Sequence, residues 1–151
     1  MDRLKRGQAA FEFISYFSLF LLVFVIALAY MSNEEIKEIR MREDFLAKEV
    51  AYQLASEVDF AVQAGDGYSR FTQIPVRAGT IDYKAYVKNG FIELNWTRGN
   101  NAFFAIAPLS TSDVSSTTLL LTPTPDNAYF INASKGFLRI NNTGGRIYVD
   151  Q

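Results

Sequence analysis

Lys5-Arg6-Gly7-Gln8-Ala9-Ala10-Phe11-Glu12-Phe13 sets a basic patch, one glycine and a lone carboxylate against the start of a long apolar run. Across residues 9–31 the only charged side chain is Glu12. A helix of that length covers roughly 35 Å at about 1.5 Å per residue, enough to cross a bilayer core. An acidic group near the centre of a membrane helix costs on the order of 3 kcal/mol, so a carboxylate in such a run calls for a partner and a task. Glu12 also sits near one end of the run, where it reads equally well as flanking sequence at headgroup level. Lys and Arg beside a membrane segment mark the cytoplasmic side, which puts the N-terminus in and the bulk of the chain out.

Arg6-Gly7-Gln8-Ala9-Ala10-Phe11-Glu12 followed by continuous apolar sequence resembles the class III signal peptide of archaeal type IV pilin-like proteins. The likeness runs from Lys5 to about Tyr30, with Ala10 where the family often has Ser and Tyr16 where it often has Leu. It implies that a prepilin peptidase cuts between Gly7 and Gln8, with Arg6, Gln8 and Glu12 serving recognition and assembly. The apolar segment is then kept, whereas a secretory signal carries its cleavage site after a shorter apolar region. Residues 1–7 would be a leader, residues 8–64 a stem helix whose 9–31 portion occupies the membrane or the filament core, and residues 65–151 an extracellular head. The partners implied are the peptidase, the membrane before assembly, and other copies or related pilins afterwards. No cofactor is implied.

The 151 residues suit one modest domain plus an extended element. Formal net charge is −1, and removal of Asp2, Arg3, Lys5 and Arg6 would take it to −3, which argues against nucleic acid as a partner. Cysteine and histidine are absent. Disulfide staples and thiolate metal sites are therefore excluded, and the commonest general base and transition-metal ligand are missing.

Residues 32–64 hold no Gly or Pro, and Ile36, Ile39, Leu46, Val50, Leu54, Val58 and Ala61 recur at spacings of three, four or seven. This is an amphipathic helix with interleaved charges on its other face, such as Glu34 with Lys37 and Glu43/Asp44 with Arg40 and Lys48. The spacing predicts one helix from about Gln8 to Ala64, ended by Gly65. A membrane anchor joined to a separate juxtamembrane helix fits the same periodicity. Phe13, Phe17, Phe20 and Phe24 share one face and read as packing surface, with electron transfer between rings as the minor alternative.

After Gly65-Asp66-Gly67 the period becomes two, rich in β-branched and aromatic residues. Strands are predicted at 80–88, 91–97, 102–107, 117–121, 129–132, 137–141 and 146–149. Asn89-Gly90 supplies a type I′ hairpin turn, and Ile92, Leu94 and Trp96 should face inward. Further turns fall at 99–101, 123–126, 134–136 and 144–145. Residues 109–118 read as an exposed Ser/Thr loop and 122–125 as a stiff one. The fold expected is α+β, a long pilin-type helix with an antiparallel β-sandwich or barrel-like head packed on its amphipathic half.

Chemistry in this head is sparse. Asp66, Asp82, Glu93, Asp113, Asp126 and Asp150 show no metal-ligand spacing and no partner base, so no catalytic or metal site is expected and the chain does not read as an enzyme. Asn95-Trp96-Thr97, Asn132-Ala133-Ser134 and Asn141-Asn142-Thr143 are sequons, making Asn95, Asn132 and Asn141 candidate N-glycosylation acceptors, with Asn132 and Asn141 favoured for bordering predicted turns. Two functions compete: a surface-filament subunit built through its stem, and a single-pass surface protein whose β domain binds an envelope or motility-machine partner. The cut discriminates them, because only the filament subunit needs it.

Overall fold

The computed structural model describes the backbone of residues 2–122 and 128–151, with side chains from residues 11–119 and 128–151. The turn and stiff loop expected at 123–126 and 122–125, and Asp126, lie largely or wholly outside the described residues. One helix, α1, runs Asp2–Ala64 and is shared between two compact units that divide between Met41 and Arg42. It begins earlier than expected because Gly7 alone does not stop it; a glycine inside a helix costs only about 1 kcal/mol. It ends where Gly65 enters the left-handed region at φ 82°, and the Asn142 Nδ2 donates to the Ala61 carbonyl at 2.9 Å, satisfying one of the last-turn oxygens.

The first unit is purely helical. Its described large apolar side chains are exposed, and these include Ile36 and Ile39, at 45% and 59%. Both were expected in the buried stripe; the burial instead begins with Leu46, which is partly covered, and Ala47. Within the second unit Ala47, Val50, Ala51, Leu54, Ala55, Val58 and Ala61 enter one core with the inward rows of two sheets. Alanine at four of these seven positions keeps the helix surface low. The same surface is approached at Gly79, where a Cβ would stand 2.7 Å from Leu46 Cδ1.

The described strands are β1 Ser69–Gln73, β2 Tyr83–Lys88, β3 Phe91–Arg98, β4 Asn101–Pro108, β5 Val114–Ser115, β6 Leu120–Thr122, β7 Ala128–Ile131, β8 Phe137–Thr143 and β9 Arg146–Asp150. One sheet has the order β1-β8-β9-β5 and the other β4-β3-β2-β7-β6. Neither closes on itself, so the head is two open sheets and not a barrel. All pairings are antiparallel except β5 with β9, which is parallel. The β2–β3 hairpin turns on Asn89-Gly90, with Gly90 at φ 86°, and Ile92, Leu94 and Trp96 are buried as their alternation requires.

Two segments form strands that were not expected, and a third keeps its expected turn. β1 pairs with β8 although its sequence, Ser-Arg-Phe-Thr-Gln, buries only Thr72. Within the Ser/Thr loop, β5 buries Val114 beside β9. Around 134–136 the chain forms a 3₁₀ turn, Ala133–Lys135, capped by Gly136 at φ 73°.

The strand expected at 117–121 starts only at Leu120, because the backbone N–H groups of Thr117 and Thr118 donate to Asp150 at 2.7 and 3.1 Å. Ser116 Oγ adds a bond of 2.9 Å to the same oxygen. Burial by itself pushes the Asp150 carboxyl up, and these hydrogen bonds outweigh it and hold the group below its ordinary value. A lowered folded-state pKa means that the native chain binds fewer protons than the unfolded one. Its stabilisation is therefore complete above the ordinary carboxylate range and fades as pH falls through the folded value. Asp150→Asn is expected to lower head stability by about 1 kcal/mol at pH 7, a figure kept small because the site is only half buried. The gap should close at low pH. Thermal melts of both proteins at pH 7 and pH 3 measure it, and a pH-independent gap would show that the charge is not what matters.

Candidate functional site

From Phe11 to Met31 every large apolar side chain of α1 is between 48% and 73% exposed. The sequence alone makes this surface continuous, because nothing charged follows Glu12 before Glu34. Ser15 does not interrupt it, since its Oγ donates to the Phe11 carbonyl at 2.9 Å. The phenylalanine stripe forms two stacked pairs, Phe13 with Phe17 at 6.2 Å and Phe20 with Phe24 at 6.4 Å. With an 18-residue stretch of mean hydropathy 2.4, the helix is long and apolar enough to span a membrane. Glu12 is exposed at the N-terminal end of this surface. Arg6, Gly7 and Gln8 lie in helical backbone one to two turns earlier, and their side chains are outside the described set.

No protein-family model, curated protein or solved structure matches this chain.

The three sequons fall in different surroundings. Asn95 sits on the outer face of the internal strand β3, opposite Lys84 and Phe104, where its Nδ2 donates to Glu93 Oε1 at 2.8 Å. Glu93 is in turn held by Lys88 Nζ at 2.6 Å. Burial raises the Glu93 carboxyl, but the bonds from Lys88 and Asn95 more than offset this and leave it lowered. Asn141 lies inside β8, since that strand runs on to Thr143; its Oδ1 accepts from Ser69 Oγ at 2.6 Å and Arg139 Nε at 3.2 Å. It therefore does not border a turn as expected. Asn132 is exposed outside the strands, and its Oδ1 accepts from the backbone N–H and hydroxyl of Ser134, the third residue of its own sequon.

The geometry accordingly ranks Asn132 first, as the one acceptor a modifying enzyme reaches without opening a sheet. Wherever glycopeptide mass measurement finds sugar on this chain, Asn132 is expected to carry it ahead of Asn95 and Asn141. Sugar confined to the two strand positions would overturn this ranking.

The head's acids serve structure. Asp66 accepts from the Gly144 N–H at 2.6 Å, Asp82 pairs with Arg77 at 2.7 Å and Asp113 with Arg146 at 2.8 Å. Among the described residues no group of three or more acids is placed to hold a metal ion. A cleft of about 670 Å³ opens on the outer face of the five-stranded sheet, with Lys84, Tyr86, Glu93, Asn95 and Phe104 in its lining.

Two arrangements escaped the sequence reading. Arg98 Nη2 reaches both Glu43 Oε2 and Asp44 Oδ1 at 2.9 Å, while Thr80 Oγ1 donates to Glu43 Oε1 at 2.6 Å; local spacing on the helix pointed only to Arg40 and Lys48. On the outer face of the other sheet, Phe71 meets Phe137 and carries the Arg139 guanidinium over its ring at 5.7 Å. The period-two alternation of β8 was the available signal for Phe137 and Arg139; β1 gave none for Phe71.

Proposed function

We propose that this chain is a subunit of a type IV pilus-like surface filament of the archaeal kind, inserted as a precursor with its N-terminus in the cytoplasm, cut between Gly7 and Gln8, and assembled through α1. The carrying observation is the Arg6-Gly7-Gln8 motif with Glu12 four residues on, opening directly onto a helix surface that is apolar and exposed from Phe11 to Met31. Apolar surface on that scale needs lipid or other helices to cover it. A filament core supplies the second after a membrane supplies the first. Cutting removes Arg3, Lys5 and Arg6, which lowers the electrostatic cost of lifting the helix out of the bilayer. It also creates an α-amino group at Gln8, one helical turn from Glu12, as a partner for that carboxylate on its own or a neighbouring chain.

The test is to shear the cell surface, image the released material and sequence the N-terminus of its subunit. Filaments whose subunit begins at Gln8 are expected. In the same assay Glu12→Gln should insert and be cut normally, yet lower the filament yield by about tenfold or more, since removing one member of a buried charge pair costs about 3 to 5 kcal/mol. Equal yields would make Glu12 flanking sequence. The aromatic-lined cleft beside Asn95 favours the second reading, an anchored surface protein whose head binds a partner; an abundant chain still beginning at Met1 would support it.

A further inference from the structure

The Phe71, Phe137 and Arg139 face is built from cross-strand neighbours on β1 and β8, Arg139 standing opposite Phe71. Phe71 is 67% exposed and Phe137 42%, with their ring centroids 6.4 Å apart. Arg139 is exposed; Asp150 stands opposite it on β9, but that carboxylate is held by Ser116, Thr117 and Thr118, and among the described residues Arg139 forms no ion pair, its Nε going to the neutral Asn141 amide oxygen. Two aromatic rings and a guanidinium outside any ion pair are the composition that concentrates binding energy at protein interfaces.

The complementary surface lies on α1 itself. Glu35, Glu38 and Ile39 share one helix face by their spacing of three and four, and all three are exposed. Neither carboxylate has an ion-pair partner among the described residues, and the nearby Lys37 is taken by Glu34 at 2.7 Å. Of the exposed carboxylates without an ion-pair partner among the described residues, only Glu35 and Glu38 form a pair one turn apart.

We infer that the Phe71, Phe137 and Arg139 face docks the helical segment 33–39 of a second copy of this chain, with Arg139 between Glu35 and Glu38 and the two rings against Ile39. The two surfaces differ, so the contact is heterologous, the type that builds an open helical filament when its rotation does not close a ring. The inference deepens the filament reading by naming a head contact within it, and it rests on that reading for the crowding of copies.

The absence of cysteine makes the test direct. Full-length chains carrying Phe71→Cys and Glu38→Cys are purified separately in detergent, mixed, diluted below the micelle threshold and oxidised. Phe104→Cys replaces Phe71→Cys as the control, because Phe104 is equally exposed, at 67%, on the other sheet. The Phe71 and Glu38 pair is expected to give about tenfold more disulfide heterodimer than the control pair. Adding Arg139→Glu to the Phe71→Cys chain should bring the yield down to the control level, and adding Glu35→Arg to its partner should restore it. Equal yields from Phe71 and Phe104, or no restoration by the charge swap, would overturn the contact. Filaments without the cross-link would refute the contact alone, and the cross-link from a chain that builds no filaments would refute the filament reading alone.

Discussion

Replacing Gly7 by valine is expected to leave the whole population as full-length chain beginning at Met1, held in the membrane, with no filaments at the surface. Gly7 is the one residue without a side chain between the basic patch and the apolar run, and a β-branched residue there blocks close approach by an enzyme cutting at the membrane face. Misfolding does not explain such a loss, because α1 already runs through Gly7 and valine is the better helix former of the two. N-terminal sequencing and intact mass of membrane and surface fractions provide the measurement. Mature chain starting at Gln8 from the valine variant would remove the basis for the proposed processing.

Leu94→Ala should cost the head about 3 to 5 kcal/mol, the upper part of the range for buried leucines. Leu94 is fully buried on β3, an internal strand of the five-stranded sheet, and its cross-strand neighbours on the inner face are Ala85 and Ala105. Neither methyl group can move into the space left behind, so the cavity persists. A loss of that size is a large share of the 5 to 15 kcal/mol that holds a typical domain folded. Trp96, the single tryptophan, lies two residues away and is itself buried, so its fluorescence during urea unfolding reports on the head while the stem stays in detergent. A shift of the midpoint worth less than about 1 kcal/mol would mean that the site collapses around the alanine and that this packing is not what holds the sheets.

What was legible in the sequence follows the length and regularity of each signal. The helix carries dozens of residues without a strong breaker after Gly7, so its course to Gly65 was plain, and its start was missed only because a single glycine weakens a helix without ending it. The β2–β3 hairpin was readable because Asn89-Gly90 sits between two long alternating runs. β1 and β5 were not: one buries a single threonine and the other is two residues long, too little for a period to appear. The overrun at 117–119 has a specific cause, since the backbone donors a strand would use are taken by Asp150, more than thirty residues away. The division into two sheets and the parallel β5–β9 pair depend on long-range pairing that no local pattern encodes. For the candidate site, the sequence carried Gly7, Gln8 and Glu12 and the positions of the sequons. It did not carry their ranking, because whether an asparagine is held inside a strand or exposed at a turn depends on where β8 ends and on what Ser69 and Ser134 donate to.

The sheet order also imposes a sequence of events on a chain that is synthesised from its N-terminus. β2, β3 and β4 are joined by tight hairpins and can pair as soon as they emerge, since local contacts form first. β1 has to wait, because its one partner is β8, and the Ser69 to Asn141 bond spans 72 residues. The helix cap waits with it, as Asn142 supplies the bond to Ala61. Until β8 and β9 have emerged, the stripe from Ala47 to Ala61 has only one of its two sheets. A chain arrested short of its last strands therefore keeps that stripe open to proteases and chaperones, and the head's closure reports that those strands have emerged.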